Sequence, residues 1–94
     1  MNAQDYANIK EFIANEDLRG IKEFLFKMMW NLIRKADNAF QINSLATYSA
    51  NWLACATILK NMYYHVCYVE EEKNRFNNGT MYESVEQLKE LLCA

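Results

Sequence analysis

The stretch from Leu45 to Val69, LATYSANWLACATILKNMYYHVCYV, constrains this chain more than any other. It holds no proline, glycine or carboxylate, and Lys60 is its single full charge. Leu45, Tyr48, Trp52, Cys55, Leu59, Met62, Val66 and Val69 recur three and four residues apart without interruption. That spacing is a helical heptad seam; a strand would alternate by two and would not run this long. Ala46, Ala50, Leu53, Ala54, Ala56 and Ile58 form a second apolar surface beside the seam. A helix that is apolar around most of its circumference packs on several sides at once. Lys60 and Asn61, with His65 one turn on, argue against a membrane span, since a central lysine costs about 2.5–3.5 kcal/mol on insertion.

The flanking segments read as amphipathic helices that pack on this one. Asn2 caps a first helix from about Ala3 to Ala14, with Tyr6, Ile9, Phe12 and Ile13 on its apolar stripe and Asp5 in its first turn, where the helix dipole favours acid. Asp17 caps a second helix over 18–39, in which Leu18, Ile21, Leu25, Met28 and Leu32 form one stripe and Phe24, Met29, Ile33 and Ala36 lie alongside. Gly20 in its first turn weakens it by up to about 1 kcal/mol relative to alanine. Asn43 or Ser44 caps the central helix, which the spacing and the helix-compatible Glu70–Arg75 run extend to Phe76. Asn77-Asn78-Gly79 is the stop. Thr80 and Glu83 then form a capping box for a last helix with Met81 or Tyr82, Val85, Leu88, Leu91 and Leu92 on its stripe.

The expected fold is therefore all-α: a small bundle of about four helices in one domain over 1–94. A long central helix (44–76) pairs antiparallel with helix two (18–39), and the short first and last helices pack on them. Zero prolines and two glycines agree with long helices and few loops. A helix over 44–76 spans roughly 50 Å, whereas a compact chain of this size is only about 32 Å across. Such a helix overhangs its own globule, so it either kinks near Asn61 or is covered by another subunit. A homo-oligomer, dimer or higher, is expected on this ground and because Trp52, Leu59, Tyr63, Tyr64 and Tyr68 all need cover.

Charge and cysteine content narrow the function. A net charge of −2 carries no basic signature for DNA or RNA. Cys55 and Cys67 lie more than three turns apart on one helix and cannot pair with each other within it. With Cys93 they make an odd count, which points to reduced thiols and a cytoplasmic setting. Gln4, Asp5 and Lys10 come early, so no apolar signal-peptide segment is expected.

Two clusters are candidates for binding. Lys22, Phe26, Trp30 and Arg34 follow one another four apart on helix two and so share a face. Alternating cations and rings can hold an anionic aromatic ligand, a nucleotide, with the ring on the base and the cation on phosphate. The same residues can equally be packing rings flanked by snorkelling cations. Lys60, Tyr64 and Tyr68, with Cys67 and with Thr57 above and Glu71 below, form the second cluster. Tyrosines on a helix face suit a protein partner, being apolar in body and polar at the tip.

Catalytic and metal templates fail on named residues. His65 with Cys67 does not supply the four converging ligands of a zinc site, so no metal or cofactor is expected. Glu83-x-x-Glu86 with Glu90 resembles the carboxylate pairs of helical nucleotide pyrophosphohydrolases, but no second acidic motif follows on a later helix. No Glu-x-x-His pair and no glycine-rich phosphate loop occur, and no arginine precedes His65 at the spacing of the HEPN-type nucleases. The chain is expected to be non-enzymatic. In size, helicity and acidity alone it is similar to small phage-encoded defence inhibitors and bacteriocin immunity proteins. The leading expectation is a helical homo-oligomer that binds and inhibits or scaffolds a macromolecular partner. A nucleotide-binding oligomer is the second reading and a nucleic-acid regulator the third.

Overall fold

In the computed structural model, which describes residues 3–41 and 45–93 with side chains over 3–34 and 52–92, the apolar periodicities become four helices. They are α1 (Ala3–Ala14), α2 (Leu18–Gln41), α3 (Leu45–Glu70) and α4 (Asn78–Cys93). The protein is a small all-α bundle. α1 packs on α2, α2 on α3, α3 on α4 and α4 back on α1, which closes the ring. α2 and α3 run antiparallel: Lys22 near the start of α2 pairs with Glu70 at the end of α3. Near the other end, Trp52 Nε1 donates to the Leu32 carbonyl at 3.2 Å. The expected caps at Asn2, Asn43 and Ser44, and the side chains of Ala36, Leu45, Tyr48 and Cys93, lie outside the described residues.

The core is made of the stripes that the spacing marks. Ile9 and Ile13 from α1, Ile21, Leu25, Met28 and Leu32 from α2, Cys55, Leu59, Met62 and Val66 from α3, and Met81, Val85 and Leu88 from α4 are all buried. Phe24 joins them, whereas Met29 and Ile33 do not: both are 44% exposed. Cys55, Leu59, Met62 and Val66 reach this core from successive turns of α3, which is why its heptad seam reads so clearly.

The ends of α1 and α3 share one device. Asp17 N–H donates to the Phe12 carbonyl at 2.8 Å and Glu16 N–H to Ile13 at 3.1 Å. Lys73 N–H likewise donates to Tyr68 at 2.9 Å and Glu72 N–H to Val69 at 3.1 Å. These paired bonds are Schellman caps, and they require a left-handed residue at the turn. Glutamate occupies that place in both, with φ of 51° at Glu16 and 60° at Glu72. The second cap corrects the expected central helix. It stops at Glu70, not Phe76, because its last carbonyls are satisfied by the turn. At 26 residues it is about 39 Å long, within the molecule's longest extent of 44 Å. It is therefore roughly 10 Å shorter than the helix expected over 44–76, but still longer than the ~32 Å of a compact chain of this size.

Asp17 closes α1 and opens α2 at once. Its Oδ1 accepts the Gly20 N–H at 3.0 Å, as an N-cap should. Gly20 is there because α1 crosses close by: a Cβ at this position would meet Phe12 Cδ1 at 2.7 Å and Asp17 Oδ2 at 2.8 Å. At α4 the cap is Asn77, whose Oδ1 accepts the Thr80 N–H at 3.0 Å. The Thr80–Glu83 capping box is therefore not used, and Gly79 lies inside the first helical turn. His65 Nε2 accepts the Asn77 N–H at 3.0 Å and its ring leans on Phe76, fixing the α3–α4 connection.

Two substitutions follow from these turns. Glu72→Gly removes the left-handed strain of a side-chain-bearing residue and should stabilise the fold by about 0.5–1 kcal/mol. Gly20→Ala, normally favourable in a helix, should destabilise it because Phe12 has to move. Urea unfolding followed by circular dichroism checks both signs.

Candidate interaction surface

α1 and α4 have 12 and 16 residues, against 24 and 26 for α2 and α3. The short pair covers the core side of the α2–α3 hairpin and leaves its other side open. α2 turns Phe26, Met29, Trp30 and Ile33 outward, at the i, i+3, i+4, i+7 spacing of a second helical stripe. α3 turns out Leu53, Lys60, Tyr64 and Tyr68. Every large apolar side chain that is exposed among the described residues belongs to these two rows.

Between the rows lies a groove of about 560 Å³. Phe26, Met29, Leu32 and Ile33 form one wall and Trp52, Ala56, Lys60, Tyr63 and Tyr64 the other. A ladder of rings crosses it. Phe26 meets Tyr63 with centroids 6.0 Å apart, Tyr63 meets Tyr64 at 6.5 Å, and Tyr64 stacks on Tyr68 at 6.5 Å. Lys73 reaches over the Tyr68 ring at 6.0 Å and pairs with Glu71 at 3.0 Å, which ends the ladder. Cys67, a half-buried free thiol, lies beside Tyr63 and holds its phenol above the ordinary tyrosine range.

The two candidate clusters thus fall on one surface, but not all of their members converge. Phe26 of the first and Lys60 and Tyr64 of the second line the same groove. Tyr68 extends it along α3. Lys22 pairs with Glu70 at the groove's lower end, and that carboxylate keeps its ammonium above the usual lysine value. Trp30 is 61% exposed on the outer rim. Arg34 lies elsewhere, on a cavity of about 230 Å³ between α2, α3 and α4 with Cys55, Leu88 and Leu92. Lys60 is the only charged group lining the groove, and no ion pair engages it among the described residues.

Sequence spacing missed Tyr63 and Met29 as groove residues. Both stand next to core positions in the chain, and spacing shows which face of its own helix a residue takes, not which neighbour it meets. Other chemistry is sparse. Among the described residues no three His, Cys, Asp or Glu side chains gather as a metal site would require, and no helix is long and apolar enough to cross a membrane.

The two seams of α3 should respond differently to substitution. Leu59→Ala, on the buried seam, should cost about 2–5 kcal/mol. Leu53→Gln, on the exposed one, should stay within about 0.5 kcal/mol when unfolding is followed by fluorescence at high dilution. Equal losses would mean that the outer row is packed within the single chain.

No family model matches this chain, and neither the curated proteins nor the solved structures include a similar one.

Proposed function

We propose that the protein is a non-enzymatic interaction module, a helical homo-oligomer whose aromatic α2–α3 face docks onto a macromolecular partner and inhibits or scaffolds it. The observation that carries this reading is the open, ring-lined groove. Seven large apolar side chains are spent on a face that adds nothing to the chain's own core. Apolar faces of this extent mark binding surfaces on soluble domains, and tyrosine, tryptophan and methionine are the residues such surfaces favour. Lys60 supplies one polar anchor in an otherwise apolar floor, the kind of group that fixes the orientation of a bound chain.

An anionic small ligand has less to hold it. The Lys22 ammonium is already engaged by Glu70, and Arg34 lines the separate cavity. Nucleic acid has less still, at a net charge of −2.

Affinity capture with the tagged protein from lysate of its source cells tests the reading. The wild type should retain a protein partner, and the double variant Tyr64→Ala, Tyr68→Ala should lose it while its circular dichroism is unchanged. Those side chains are 49% and 44% exposed and bear little on folding. Undiminished capture by the double variant would contradict the assignment of this face.

A further inference from the structure

We infer that the first occupant of the α2–α3 face is a second copy of this chain, in a two-fold dimer that lays α3 of each copy across α2 of the other. The inference rests on the interaction-module reading and names who covers its surface.

Area is the first argument. The seven exposed apolar side chains keep 44–61% of their surface open. At ~100 Å² each they offer about 700 Å², above the usual largest patch of a monomer and near the ~800 Å² per partner of a stable complex.

Shape is the second. Phe26, Met29 and Ile33 are spaced three and four apart, and Leu53, Thr57, Lys60, Tyr64 and Cys67 alternate four and three. Two parallel ridges with a valley between them accept helices in return. The groove runs about 18 Å along α3, from Trp52 to Tyr64 at 1.5 Å per residue, and the exposed row continues beyond it to Tyr68.

Charge selects the arrangement. Lys60 sits midway along the exposed α3 row and faces Phe26 and Met29 across the groove. A two-fold axis that lays this face on itself must lie in the plane of the face, either along the helices or across them. The second sets α3 on α3 and brings the two Lys60 ammoniums together at the centre, where like charges repel. The first places Lys60 on the aromatic stripe of the opposing α2, against the partner's Phe26 and Trp30. There the cation meets ring faces in a partly desolvated site. An isologous contact needs a patch that complements itself, and this one supplies both the rings and the cation that fits them.

Sedimentation equilibrium of the full chain, over about 1 to about 200 μM, is the test. The wild type should approach twice the 11.1 kDa chain mass. Trp30→Glu and Leu53→Glu should each raise the dissociation constant about 100-fold or more, with helicity retained because both side chains are already exposed. Lys60→Glu, which sets an anion on the opposing rings, should weaken the dimer about tenfold, while Lys60→Arg should keep it. A wild type that stays monomeric throughout, or a dimer indifferent to Trp30→Glu and Leu53→Glu, would overturn the inference. A monomer that still captures a protein through Tyr64 and Tyr68 would overturn it, and the homo-oligomer of the proposed function with it, while leaving partner docking on this face standing. Loss of both would remove both.

Discussion

A long helical hairpin covered on one side only is the constraint from which the rest of this structure follows. α2 and α3 are each about twice the length of α1. Helices stay folded in water chiefly by burying an apolar face, and the inner faces of the hairpin do so against α1 and α4. The outer faces carry an apolar stripe as well, and no element among the described residues packs over it. The core and the groove are the two sides of one pair of helices. The residues of each are interleaved along the same segments.

What sets those lengths is the chemistry of the turns. Glu16 and Glu72 accept a left-handed conformation that ordinarily favours glycine. In return, each lets the last carbonyls of its helix find donors in the following two residues. Asp17 then begins α2 without a spacer, and Asn77, held by His65, begins α4. The tight α1–α2 turn brings Phe12 onto Gly20 and lets Lys27 reach back to the buried Asp5 at 2.6 Å. Across the ring, Tyr6 donates to Glu86 while Lys10 and Lys89 sit over its ring, tying α1 to α4. The side chains that close the bundle are thus short-range caps and a few polar bridges around an apolar centre.

Much of this is legible in the sequence, for a physical reason. Helical burial is periodic, so Ile21, Leu25, Met28 and Leu32, or Cys55, Leu59, Met62 and Val66, declare their face by spacing alone. Asp17 is readable as a cap because a short acid before an apolar row has one common use. Glu72 is not readable as a stop: glutamate favours helices, and its left-handed turn is imposed by the chain's need to reach α4. Asn77 displaces Thr80 as the cap because His65, twelve residues earlier, positions its backbone. The groove is half legible. Spacing collects Lys22, Phe26, Trp30 and Arg34 on one helix, and Lys60, Tyr64 and Tyr68 on another. Only the packing of α2 on α3 shows that Phe26, Lys60 and Tyr64 meet, that Tyr63 joins them, and that Arg34 turns away.

A face built from methionine, tryptophan and tyrosine is also one that reports on its own cover. Hydroxyl-radical footprinting over a dilution series reads the accessibility of Met29, Trp30, Tyr64 and Tyr68 directly, residue by residue. If the outer hairpin face is an interface, these four should be protected together at high protein concentration and become reactive together on dilution, with Met62 and Met81 in the core protected throughout. Full reactivity of all four at every concentration, with partner present or absent, would mean that the face is bare in solution and would contradict the account.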